Sequence, residues 1–200
     1  MTAGTPRRKV HPIEVRSYEI LRSRVDTSRL APITRAVVER VIHTSADLNY
    51  VDDLVCREDE LAAAVAALRA GAPIVADVEM VTAGITSAEV HSWVRDPRSA
   101  ELASLAAITR SAAGIRIAFG EVGTGAVWVV GNAPTALFEL LDLNASPALV
   151  VGLPVGFVGA SESKSALRAS GLPSVSNRSE KGGSAVAAAA VNALLYWEDM

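Results

Sequence analysis

Between Val127 and Lys164 the chain twice repeats one pattern: a short all-apolar run, a loop with glycine and proline, and a helical stretch. The first unit is Val127–Val130, then Gly-Asn-Ala-Pro, then Thr135–Leu141. The second is Ala148–Val151, then Gly-Leu-Pro-Val-Gly, then a segment running to Lys164. Apolar runs without polar alternation suit strands covered on both faces, and such strands belong to parallel sheets flanked by helices. The predicted fold is therefore α/β: a three-layer α/β/α arrangement with a mostly parallel central sheet. In such sheets ligands sit beyond the carboxyl ends of the strands, where both loops would lie. The stretch is a candidate ligand shelf, with phosphate as the first guest to test.

The other elements follow from the same kinds of signal. Pro12 opens a helix over IEVRSYEILRSRV, with Ile13, Ile20, Leu21 and Val25 at its apolar positions. Pro32 fits the first turn of a second helix. There Ile33, Val37 and Val41 form a buried stripe, and Ala36, Arg40 and His43 a neighbouring one, so Arg40 and His43 project from nearly the same side. LNYVDDLVCRED is less regular. Glu58–Ala70 is a third helix stopped by Gly71 and Pro73, Ile74–Val78 a short strand and His91–Val94 another. Ser99–Ala113 reads as one helix carrying Thr109-Arg110-Ser111 near its C-terminus. Pro173–Asn177 is the last strand, and Ala185–Leu195 the closing helix. With no repeat or low-complexity linker, residues 1–200 read as a single domain, with a loose tail over residues 1–10.

Several classes of chemistry are disfavoured. Gly123-Thr-Gly125 precedes a strand instead of following it, and Trp128 stands where a dinucleotide fingerprint needs its third glycine. Ser163-Lys164-Ser165 resembles the end of a P-loop, but Val158 and Ser163 occupy its two glycine positions. The three histidines, His11, His43 and His91, lie far apart without metal-ligand spacing, and no nucleophile elbow is present. The single cysteine, Cys56, allows neither an internal disulfide nor a cysteine-based metal site. A net charge of −3 argues against nucleic-acid binding, and the longest apolar stretch is too short for a bilayer, so no membrane partner is expected. Without a signal-like apolar run after Arg7-Arg8-Lys9, the expected location is the cytoplasm.

What remains is His43 beside Arg40, followed by the polar run Thr44-Ser45-Ala46-Asp47. Histidine exchanges protons near neutral pH, but one at a helix end also serves as a cap. Taken singly, Arg40, Arg110 and Lys164 each suit a solvated helix face better than a site, and the two loops suit ordinary tight turns.

Together, HPIEVRSYEI, VIHTSAD, GAPIVADVEMVTAGI, ITRSAAG, VVGNAPTALFELL, PALVVGLPVGFVGASESK and KGGSAVAAAAVNAL closely resemble the precorrin-8X methylmutases, or precorrin isomerases, from about His11 to Leu195. The resemblance implies a step of cobalamin assembly: migration of a methyl group from C-11 to C-12 of precorrin-8, or of its cobalt-containing counterpart, giving hydrogenobyrinate. Such an intramolecular shift implies no methyl donor and no cofactor. By resemblance His43 is the acid/base, Arg40 and Arg110 bind carboxylates of the ring, and Ser17 donates a hydrogen bond. Asn132, Ser163 and Lys164 are further contacts taken from the densest motifs. The family also implies a homodimer. A pocket lined by Ala, Val and Gly, with Arg forks at its rim, suits an apolar macrocycle edged with carboxylates. The alternative reading is a corrinoid-binding carrier without turnover. The chain departs from the common pattern at Ser92, where many relatives carry Cys, and at Arg178-Ser179-Glu180.

Overall fold

Side chains along a strand alternate between faces, so strands that are apolar at every position create two cores. The structure, a computed structural model, describes residues 11–197; the tail expected over residues 1–10 lies outside them. Its sheet has six strands: β1 (Leu54–Val55), β2 (Ile74–Ala76), β3 (Val90–His91), β4 (Val127–Val130), β5 (Leu149–Gly152) and β6 (Ser174–Asn177). They lie in the order β1-β6-β5-β4-β2-β3, and only β1 runs antiparallel to its neighbour. On one face Ile74, Val127, Val129, Leu149, Val151 and Val175 share a core with α2 (Pro32–Ser45), α4 (Glu58–Arg69) and α10 (Ser184–Leu195). On the other, Val75, Trp128, Val130 and Val150 meet α7 (Arg110–Val122), α8 (Pro134–Asp142) and α9 (Ala160–Ala169). This is the three-layer α/β/α fold expected from the apolar runs.

The remaining helices decorate these layers. α1 (Pro12–Arg24) lies against α2, α5 (Glu79–Gly84) against α10, and α6 (Pro97–Ala106) against α7. The irregular stretch after Asp47 contains a four-residue helix, α3 (Tyr50–Asp53), and the edge strand β1. Small residues let α10 approach closely. A Cβ on Gly84 would fall 2.7 Å from Cβ of Ala188, and one on Gly131 only 2.9 Å from Cβ of Ala187.

Three expectations need correction. The helix expected over Ser99–Ala113 is two, α6 and α7, meeting at 114°. Ala107 ends the first in a left-handed conformation (φ 52°), and Thr109 caps the second by accepting from the Ala112 amide at 3.2 Å. Arg110 thus opens a helix where the sequence reading put it near an end. The strand expected over His91–Val94 is confined to Val90–His91. The helical segment after Gly-Leu-Pro-Val-Gly starts only at Ala160 and continues beyond Lys164 to Ala169.

Candidate active site

The loops leaving β2, β4, β5 and β6 are tied to one another at the carboxyl edge of the sheet. Asp77, just beyond β2, is buried and accepts the backbone N–H groups of Gly131, Asn132 and Ala133 at 3.0, 2.9 and 2.8 Å. The backbone at the start of α8 is an anion cradle, and an internal carboxylate fills it. The amides that the phosphate reading would use are thus already occupied. Burial raises the Asp77 pKa while the three amides oppose the rise.

Lys164 is fully buried, and its ammonium donates to Asn177 Oδ1 (2.9 Å), Ser179 O (2.6 Å) and Lys181 O (2.7 Å). All three N–H donors are spent inside the protein. Burial lowers its pKa to about 8. Ser163 is also fully buried and donates to the Ala160 carbonyl within its own helix. Neither residue faces a ligand shelf, so their expected contacts with a ligand are replaced by internal ones. Lys164 holds the loop after β6 instead. The same loop is gripped by Asp53, which accepts from the amides of Arg178 and Ser179, from Ser179 Oγ and from Asn177 Nδ2. Burial would raise the Asp53 pKa, but these bonds outweigh it and leave it lowered. Gly182 has φ +151°, and a Cβ there would collide with the Leu153 carbonyl oxygen, so only glycine lets this loop touch the one after β5.

The shelf itself remains exposed and apolar. Phe157 is 96% and Val158 89% exposed in the loop between β5 and α9. Asn132 is exposed, its backbone held by Asp77. Arg110 is exposed at the start of α7, and its neighbour Thr109 shares a 2.7 Å hydroxyl hydrogen bond with Thr135 of α8. Arg110 and Asn132 therefore flank the same turn.

The second cluster lies in the seam between α1 and α2. His43 is half-buried in the last turn of α2, with Nδ1 2.8 Å from Ser17 Oγ and the Tyr18 ring stacked on its imidazole. One turn earlier Arg40 is buried, paired with Glu14 at 2.7 Å and set against the rings of Tyr18 and Tyr196. Its Nε, also buried, has no hydrogen-bond partner among the described residues. Arg40 is thus no open two-pronged fork; one N–H is spent on Glu14 and another is left for an acceptor. Four residues past His43, Asp47 binds Lys181 Nζ at 2.6 Å, and that bond depresses the Asp47 pKa. The end of α2 is thereby anchored to the loop after β6, at the carboxyl edge of the sheet. Ser17, Arg40 and His43 come together; Arg110 and Asn132 lie on the shelf. The geometry offers a hydrogen-bonded imidazole, a buried guanidinium with a spare donor, and an apolar ledge.

A family model described as precorrin-8X methylmutase matches residues 12–197. The chain belongs to the precorrin-8X methylmutase family. It is 43% identical over 196 residues to the cobalt-precorrin-8 methylmutase of Salmonella typhimurium, covering 92% of this chain and 93% of that one. It is 42% identical over 191 residues to the precorrin-8X methylmutase of a Sinorhizobium species, covering 90% of each. The solved precorrin-8X methylmutase of Thermus thermophilus superposes with a TM-score of 0.83 at 34% identity, over 92% of this chain and 93% of that one. As a methylmutase, the chain is an enzyme of the isomerase class.

Sequence reasoning missed the residues that support the candidate site: Glu14, Tyr18, Asp53 and Asp77. Glu14 and Tyr18 sit inside HPIEVRSYEI, where the reading of the helix singled out only its apolar positions and Ser17. Asp77 had a detectable signal, since an aspartate directly after the buried run Ile74–Ala76 is placed to cap a neighbouring loop. Cys56 is half-buried with its thiol pushed up to about 11 by burial, so it is unreactive.

Proposed function

We propose that this chain moves the methyl group from C-11 to C-12 of precorrin-8, or of its cobalt-containing counterpart, giving hydrogenobyrinate or its cobalt equivalent, with His43 as the proton donor. The observation that carries the assignment is the 2.8 Å contact between His43 Nδ1 and Ser17 Oγ in a half-buried seam. Imidazole exchanges protons near neutral pH, which suits it to this role. Protonation near ring C draws electron density toward that ring and eases migration of the methyl group. Substrate and product are isomers, so His43 regains its proton within the turnover. Ser17 orients the imidazole, the Arg40 guanidinium attracts one peripheral carboxylate by its charge, and Arg110 and Asn132 meet others along the shelf. Phe157 and Val158 supply apolar surface for the ring. Ser163 and Lys164 are left out of the contact set.

The reading includes a single domain acting as a homodimer in the cytoplasm. Exposed Ile13, Val15 and Ile20 on α1 support a subunit contact. No single helix among the described residues is long and apolar enough to cross a membrane. The test is incubation with precorrin-8 while following the hydrogenobyrinate spectrum. The parent converts the substrate; His43→Ala binds it with a rate lowered by about 100-fold or more, as for loss of a positioned acid. Binding without turnover by the parent means a carrier, and parental turnover by His43→Ala removes the acid role.

A further inference from the structure

Tyr18 follows Ser17 on α1 and stands where three further side chains converge. Its ring lies parallel to the His43 imidazole, with centroids 5.1 Å apart and planes inclined by 12°. The guanidinium carbons of Arg22 and Arg40 stand 5.6 and 5.9 Å from its centroid. Each of these cations is held in turn by a carboxylate. Arg22 donates Nε and Nη2 to Glu39, and Arg40 donates to Glu14. Glu39 is itself buried and also accepts from Thr27 and Arg35. The Tyr18 ring is thus set between fixed groups belonging to both helices.

A histidine ring has two soft torsions, one swinging it and one turning it about its own bond to the chain. The hydrogen bond from Ser17 distinguishes one orientation from its half-turn flip, because the flip would bring a carbon against the hydroxyl. It holds the plane poorly, since the hydroxyl can follow the ring. A stacked aromatic ring does the converse: it restrains the plane and tolerates the flip. We propose that Tyr18 is a positioning residue for the methyl migration, its ring fixing the plane of the His43 imidazole while Ser17 fixes the flip. The proposal rests on the reading of His43 as the proton donor. A proton donated to one carbon of a macrocycle needs that plane, because a donor misplaced by a fraction of its reach loses most of its effect.

The test measures kcat and KM with precorrin-8 for Tyr18→Leu and Tyr18→Phe, alone and combined with His43→Ala, after circular dichroism has shown each variant folded. Tyr18→Leu is expected to lower kcat by about 10- to 100-fold with KM changed less than about threefold. Tyr18→Phe, which keeps the ring, is expected to recover most of that loss. In the His43→Ala background, Tyr18→Leu should cost nothing further. A second measurement needs no variant at position 18. In the parent protein the ring protons of His43, identified by their loss in His43→Ala, should be shifted upfield by the stacked Tyr18 ring. The proposal is overturned if Tyr18→Leu raises KM alone, if it costs the same factor without His43, if Phe fails to restore the rate, or if no upfield shift is seen. Failure of the proton-donor reading looks different: His43→Ala itself would then turn over at the parental rate.

Discussion

The shelf loops and the α1–α2 seam both carry proposed site residues, yet they are held by opposite means. Around the shelf, polar groups are interior and nearly every one has several partners: Asp77 with three amides, Lys164 with three oxygens, Asp53 with four donors. They lie over two aliphatic cores in which each buried Val or Leu contributes about 1.5–3 kcal/mol. α1 places only Leu21 in a core, while Ile13, Val15 and Ile20 remain exposed. It is held by Glu14–Arg40, Arg22–Glu39 and the Tyr18–His43 stack. The proposed shelf contacts, Arg110 and Asn132, therefore lie beside the heavily bonded loops, and the residues proposed to orient His43, Ser17 and Tyr18, on an element docked mostly by charge.

The contrast can be broken at its strongest point first. Lys164→Met leaves Asn177 Oδ1 without its donor and Ser179 O and Lys181 O with Asn177 Nδ2 alone, and is expected to lower unfolding stability by about 3 kcal/mol in urea titrations. If the loss is under about 1 kcal/mol, the clasp is not what holds the β6 loop. Next in size, Asp77→Asn turns an NH2 group toward one of three amides and should cost about 2–3 kcal/mol, with faster amide exchange at Gly131–Ala133. Glu39→Gln is expected to cost about 1–2 kcal/mol in the same assay and to speed exchange in α1 but not around Asp77. Equal loosening of both regions would erase the distinction.

Acid and alkali sharpen the same comparison with smaller effects. Burial raises the Glu39 pKa, but bonds from Arg22, Thr27 and Arg35 outweigh it, leaving it below the usual 4.5. Its stabilising contribution is complete above that value and is lost as pH falls through the lower folded one, so α1 should loosen as acid protonates Glu39. Lys164 behaves with the other sign. Its folded value of about 8 lies below the ordinary 10.5, so between these the folded state binds fewer protons than the unfolded chain. This group's contribution accordingly rises with pH across that window, an increment that Lys164→Met should abolish in stability measured from pH 7 to 10.5. Smallest of all, raising salt from about 0.05 to 0.5 M should speed exchange in α1 while leaving the shelf nearly unchanged.

The layers were legible because Val127–Val130 and Ala148–Val151 offer no polar face, and the only economical way to cover both sides is a sheet between helices. The stripe of Ile33, Val37 and Val41 likewise placed Arg40 and His43 together. Contacts reaching across the chain were not legible. Glu14 lies 26 residues before Arg40, and nothing in the helical pattern pairs them. Lysine rarely goes inside unpaired, so Lys164 read as a surface or ligand-facing cation; the oxygens that accept it come from a loop 13 to 17 residues later. The break between α6 and α7 had a visible cue in Thr109, a good cap residue, but uninterrupted helix formers on both sides masked it. Family resemblance supplied the roles, whereas the geometry decides which of those residues have side chains still available.

The Asp77 carboxylate has a consequence for selectivity. By occupying the amides at the start of α8, it acts as a permanent tenant of the place where a phosphate ester would lodge. A solution rich in inorganic phosphate or nucleotides then meets a shelf on which these three amides are already taken. A macrocycle edged with carboxylates finds those amides taken, and the proposed partners for its carboxylates are side chains, Arg40 and Arg110.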